Sequence, residues 1–141
     1  MPGAYTVDPV RSIVLSRAWG VVTDRDLLAH VRALAADARF RPHFSQLADI
    51  RGVADVAVSS SGIKDLAKLN PFGAGARRAV VVDRDVIFGM ARMYQMMREP
   101  STDEVEIFRD LDSALEWLGI AHEKAEVISA LSKAPPVSGP D

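Results

Sequence analysis

A chain of 141 residues that is 48% hydrophobic and 26% charged has the size and composition of one folded domain, long enough to bury about two-thirds of its unfolded surface. Lys and Arg number 17 against 19 Asp and Glu, so the net charge of -2 gives no support for nucleic acid as a partner, and the absence of cysteine excludes disulfides, thiolate zinc sites, iron–sulfur clusters and a cysteine nucleophile. The start "MPGAYTVDPVRS" lacks a signal-peptide apolar centre and no run approaches the roughly 20 apolar residues of a membrane span, so the expectation is a cytoplasmic protein without an integral membrane segment.

Ala4 to Val7 reads as a first strand, turned by Asp8-Pro9. "SIVLSRAWG" reads as a second, with β-branched and aromatic residues and a closing glycine at Gly20, close enough to the first to form a hairpin. Thr23 and Asp26 form a capping-box pair at the start of a first helix. Leu27, Leu28, Val31, Leu34, Ala35 and Ala38 recur at helical spacing and mark its buried face. "RFRPHF" ends the helix, since proline and the residue before it resist helical geometry. "FSQLADI" is a short strand, continued by a loop or further strand through "VADVAV".

A second helix runs from the serines of "SSSG" to Leu69, with Ile63, Leu66 and Ala67 facing inward. "NPFGAG" is read as a flexible connection, with Arg77 and Arg78 solvated. The unbroken apolar run of "RRAVVVD" suits a strand covered on both faces. "DVIFGMARMYQMMRE" is a third helix that stops at Pro100, and Gly89 within it implies close packing by a neighbouring element. "DEVEIFRD" is the last strand. It leads into a helix, "DLDSALEWLG", capped by Asp110 and buried through Leu111, Ala114, Leu115 and Leu118. One more helix is assigned to residues 121–133, and the Pro-, Gly- and Ser-rich segment 134–141 is read as disordered. The order β-β-α-β-α-β-α-β-α over residues 1–120 describes an α/β domain: a mixed sheet of about five strands, with an antiparallel hairpin first and parallel βα units after it.

Three stretches, "LADIRGV", "RRAVVVDRDVIFGMARMYQ" and "VEIFRDLDSALEWLG", resemble the STAS and SpoIIAA-like domains, mostly uncharacterised bacterial proteins related in fold to the lipid-binding Sec14 group. The resemblance covers roughly residues 4 to 120 in order of elements. It implies a non-catalytic regulatory or protein-interaction module, acting on a protein partner or on itself as a homodimer. The Sec14 likeness implies the alternative, a carrier or sensor of a small apolar or lipid-like ligand. Anti-sigma-factor antagonists of the STAS family carry an Asp-Ser-Ser-Gly stretch at the start of the corresponding helix, where the serine before the glycine is phosphorylated. Ser61 matches that serine, and Ser59 stands where the aspartate falls.

Taken as chemistry, Ser59, Ser60, Ser61 and Gly62 at a helix N-terminus serve first as a helix start, because a serine hydroxyl satisfies an orphan amide. The same free amides and helix dipole favour an anion or a phosphate there. Met90, Met93 and Met97, with Tyr94 beside them, form a stripe on the third helix that is core, a dimer interface, or the wall of an apolar ligand site. Asp49, Arg51, Asp83, Arg84, Asp85, Arg109 and Asp110 gather at strand ends, where α/β folds place sites, with Asp85 and Asp110 engaged as helix caps. No nucleophile with an adjacent base is legible from spacing, no GxSxG elbow is present, and the three histidines lack ligand spacing. No catalytic residue, metal or cofactor is expected.

Overall fold

The period-two and helical patterns are realised, in a computed structural model describing residues 2–98 and 102–137, as a five-stranded sheet flanked by helices on both faces. The strands are β1 (Gly3–Asp8), β2 (Ile13–Thr23), β3 (Ser45–Ala57), β4 (Arg77–Val81) and β5 (Glu104–Phe108). The helices are α1 (Asp24–Ala35), α2 (Ser60–Lys68), α3 (Asp85–Met97), α4 (Leu111–Leu118) and α5 (Lys124–Lys133), with a 3₁₀ turn at Ala121–Glu123. Strand order follows chain order; β1 and β2 pair antiparallel and every later neighbour is parallel. Successive right-handed crossovers between adjacent parallel strands put α1, α2 and α3 on one face. The chain crosses after β5, and α4 and α5 cover the other.

Local chemistry accounts for the boundaries. The Thr23–Asp26 capping box forms as the sequence dictates. Asp110 caps α4 by accepting from the Ser113 amide, and Gly119 ends that helix in the left-handed region at φ 77°. Asp85 does not cap α3: its carboxylate stands in solvent and pairs with Arg109 at 3.0 Å, while the N-cap position is Arg84, which makes no side-chain cap bond. The buried face of α1 is narrower than its apolar spacing implies, because the helix ends at Ala35, leaving Ala35 and Ala38 exposed and Leu34 fully buried.

"FSQLADI" and "VADVAV" belong to one strand. β3 pairs with β4 only over Gln46–Asp49, and its second half runs on with β2 alone as a two-stranded arm with two register shifts. "NPFGAG" is not a loose connection: Phe72 and Ala76 are buried, and the Gly73 amide donates to the Pro42 carbonyl. The disorder expected for 134–141 is corrected at its start. Ala134 and Val137 are buried, Pro136 bridges Ala4, and the Val137 amide donates to Gly3, so this segment covers the open edge of β1. Residues 138–141, and the Glu99-Pro100 end expected for α3, lie outside the described residues. Gly89 is not at a close approach either; a Cβ there would meet open space.

Candidate functional site

The two faces of the sheet are filled differently. Toward α4 and α5, β2–β4 present Ile13, Leu15, Leu47, Ala79 and Val81, which close on Leu115 and its neighbours as one buried cluster. Toward α1–α3, the alternate positions near the sheet centre are Ser16, Ala18, Gln46, Ala48 and Arg78. Small and polar residues cannot fill the space beneath three helices, so the core on this side splits. Val14, Leu34 and Phe72 belong to one cluster, Val22, Val53 and Ile87 to another. Between sheet and helices lies a cavity of about 200 Å³. Its roof comes from Leu27 and His30 of α1, Leu66 of α2, and Met90, Ala91 and Tyr94 of α3; the β2–β3 arm closes one end with Val22, Val53 and Val56. Ala48, on the middle strand of the sheet, is only half-buried because the cavity reaches it.

A chain of hydrogen bonds crosses the cavity floor. Arg78 Nε donates to Gln46 Oε1 at 3.1 Å, and Gln46 Nε2 donates to Ser16 Oγ at 3.1 Å. Ser16 Oγ lies 3.2 Å from His30 Nε2. A guanidinium can only donate, so it fixes the Gln46 amide with its oxygen toward Arg78. Ser16 accepts from Gln46, and its hydroxyl can either donate to His30 Nε2 or accept from it, according to the imidazole tautomer. Burial pushes the His30 imidazole down from 6.5 to about 4, so the ring is neutral at pH 7.

At the other end, Arg78 Nη1 reaches Tyr94 Oη at 2.8 Å, Asn70 Oδ1 at 3.1 Å and Asp103 Oδ2 at 3.3 Å, with the guanidinium 4.4 Å above the Phe72 ring. Asp103 also takes Arg98 at 2.6 Å, and its carboxylate is wholly buried. The expectation that Arg78 is solvated is therefore corrected: its side chain is 11% exposed, drawn in by four acceptors and an aromatic face. Arg77, in contrast, stays at the surface over Trp117.

Of the methionine stripe, Met90 and Tyr94 line the cavity, whereas Met93 and Met97 do not. Met96 and Met97 turn outward, 76% and 37% exposed. Ser59 is the N-cap of α2; its hydroxyl accepts from the Gly62 amide at 2.9 Å and donates to Asp24 Oδ2 at 2.8 Å, while its amide donates to Asp24 Oδ1 at 3.1 Å. The protein's own carboxylate thus occupies the anion position at this helix start, and a Cβ on Gly62 would fall on it. Ser60 and Ser61 are exposed on the first turn.

An open groove of about 670 Å³ on the opposite face runs past Arg51, Asp112 and Lys124. Its charges are matched locally: Arg51 holds Asp49 through two bonds, and Lys124 holds Asp112 at 2.7 Å. Among the described residues no group of three or more His, Asp or Glu is placed to hold a metal, and no helix is long and apolar enough to cross a membrane.

The polar floor was missed from sequence, although a signal was present. Ser16 interrupts the inward set Val14, Ser16, Ala18, and Gln46 precedes Ala48 on the same face. Polar residues at inward strand positions mark either a network or a site. Asp103 carried no such signal, since partners such as Asn70, Arg78 and Arg98 come from separate stretches of the chain.

Strand order and helix placement together define a small α/β domain with a mixed five-stranded sheet. Among solved structures the chain is similar to an uncharacterised DUF3478-family protein of Shewanella loihica described as having a SpoIIAA-like fold. The identity is 21%, the match covers 82% of this chain and 93% of that one, and the TM-score is 0.54. The chain is a single α/β domain of SpoIIAA-like fold, as the strand–helix stretches implied. No protein-family model matches it, and no curated protein does.

Proposed function

We propose that this domain is a non-catalytic binding module that holds one small, largely apolar molecule between the sheet and α1–α3, as a carrier or sensor. The observation that carries this reading is the cavity of about 200 Å³ with a predominantly apolar lining at the centre of the sheet. Apolar cavities of roughly 150 Å³ accept a benzene-sized molecule, so the space suits a single ring or a short branched chain. A well-packed domain has few voids larger than a water molecule, and one this size stands out against the closed packing across the sheet.

Several features speak for binding rather than chemistry. The Ser16 hydroxyl touches a histidine, but it already accepts a bond from Gln46, and the carboxylate that orients such a histidine in a triad is absent among the described partners of His30. The competing reading, a partner switch at Ser59–Gly62, rests on the exposure of Ser60 and Ser61. It is weakened by Asp24, whose negative carboxylate already bonds the Ser59 amide and hydroxyl beside that turn.

The test is a thermal-shift panel of small aromatic and branched aliphatic molecules on the wild type and on Ala48→Leu, which grows a side chain into the cavity. A ligand at 100 times its Kd adds about 2.7 kcal/mol to stability and raises Tm by several degrees. The shift should vanish in the folded Ala48→Leu protein. A panel with no shifts, or shifts that survive the filling, overturns the proposal.

A further inference from the structure

Resting on that reading of the cavity, we infer that its occupant is an apolar carboxylic acid, bound as the anion through Arg78 and Tyr94 with its hydrocarbon part under α1–α3. The argument begins with the donors left over when the internal bonds are counted. The guanidinium has five N–H groups. Nε is used by Gln46, and Nη1 meets three acceptors with two protons. Nη2 has no partner among the described residues. It is not sealed off, since the one buried side-chain nitrogen without a partner there is Arg98 Nε. Arg78 is part of the cavity lining, so a ligand there can share this guanidinium. Tyr94, also on the lining, accepts from Arg78, which leaves its own O–H proton to donate. Arg78 and Tyr94 thus bring two adjacent donor groups to the cavity lining, the kind of pair that a carboxylate accepts.

Charge supports the same occupant. Arg78 and Arg98 share a single acid among the described residues, Asp103, and all three side chains are nearly or wholly buried. Among the described residues this sets two guanidiniums against one carboxylate in a region of low dielectric, where unbalanced charge is costly. A bound anion removes that cost. His30, neutral at the far end of the floor, adds no competing charge. Asp26, the acid on the lining, is committed to the Thr23 amide within the α1 capping box. Arg17 sends its guanidinium to the opposite face, where it donates to the carbonyls of Leu131 and Ala134. With about 200 Å³ available, the hydrocarbon part is ring-sized, far short of a full lipid chain.

Three matched probes separate the two levels of the argument: 3-phenylpropanoate, 3-phenylpropan-1-ol and propylbenzene, titrated by calorimetry into the wild type, Tyr94→Phe, Arg78→Lys and Ala48→Leu proteins. In the wild type the acid should bind tenfold or more tighter than the alcohol at pH 7. NMR of the ¹³C-labelled carboxyl should show its titration shifted to lower pH on binding. Tyr94→Phe and Arg78→Lys should each erode the preference for the acid several-fold while leaving propylbenzene unchanged, and Ala48→Leu should abolish all three. If the alcohol or hydrocarbon binds as tightly as the acid, the carboxylate inference is overturned and the cavity reading survives. If none of the three binds, or if the acid still binds Ala48→Leu, both fall.

Discussion

One sheet supports two unlike cores. Under α4 and α5 the residues Leu15, Leu47, Val81, Ala114 and Leu115 are almost wholly excluded from solvent and form a single cluster. Under α1, α2 and α3 the apolar residues fall into two groups, with a cavity and a hydrogen-bonded floor between them. The same strands supply both faces, so the difference lies in alternate residues: Leu15 beside Ser16, Leu47 beside Gln46 and Ala48, Ala79 beside Arg78. The closed face provides the stability that lets the other face keep unfilled space. The division resembles a scaffold and a site laid back to back.

The largest expected effect is on the closed face. Leu115→Ala removes a fully buried side chain from that cluster and should lower unfolding free energy by about 2–5 kcal/mol in a urea titration. A loss below about 1 kcal/mol would mean that this face is as yielding as the other, and the comparison would break.

His30 offers the next effect, on the open face. Its folded-state pKa of about 4 lies below the ordinary 6.5, so between those values the unfolded chain takes up a proton that the folded protein excludes. Stability is therefore unaffected above pH 6.5 and falls as pH drops toward 4. At 1.36 kcal/mol per unit the full loss is at most about 3 kcal/mol, and water reaching the cavity reduces it. Asp8, Asp37, Asp49 and Asp110 are held below 3.8, so their contributions are lost at lower pH, outside this window. Urea titrations from pH 7.5 to 4.5 should show the decline in the wild type and a flatter profile in His30→Gln. Equal slopes in the two proteins would remove His30 from the account.

A matched pair of alanines sharpens the contrast further. Ala79 on β4 faces the closed cluster at 0% exposure, while Ala48 on β3 faces the cavity. Ala79→Leu should cost about 1–3 kcal/mol through overpacking, and Ala48→Leu should be neutral or slightly stabilising because the space already exists. Equal costs for the two changes would argue that the cavity closes up in solution.

Much of this architecture was legible from sequence because local patterns set it. The Thr23–Asp26 box, the Asp110 cap, the apolar run of β4 and the antiparallel hairpin each depend on residues close together in the chain. The cavity lining was legible only in part. Met90 and Tyr94 reach the cavity because helical spacing places both on the inner side of α3, but Met93 and Met97 show how an apolar stripe on a helix can be wider than the face it buries. Arg78 was misjudged because a charged residue beside another arginine ordinarily lies in solvent. Its acceptors, Gln46, Asn70, Tyr94 and Asp103, come from four separate stretches that only the folded sheet assembles.

The smallest effect concerns the helices that cover the two faces. α4 is fixed at both ends, by Asp110 at its start and by left-handed Gly119 at its close. α3, over the cavity, has no side-chain cap bond at Arg84 and carries Gly89 in its interior. A glycine inside a helix costs about 0.5–1 kcal/mol relative to alanine through backbone entropy, and no neighbour occupies the space that a Cβ would need at Gly89. Gly89→Ala should therefore stabilise the protein by about that amount, read as a rise in urea midpoint at unchanged slope. It should also slow amide hydrogen exchange in α3 more than in α4, because the helix that gains is the one over the cavity. A variant that loses stability would show that some neighbour does approach Gly89 in solution, and that α3 is held as firmly as α4.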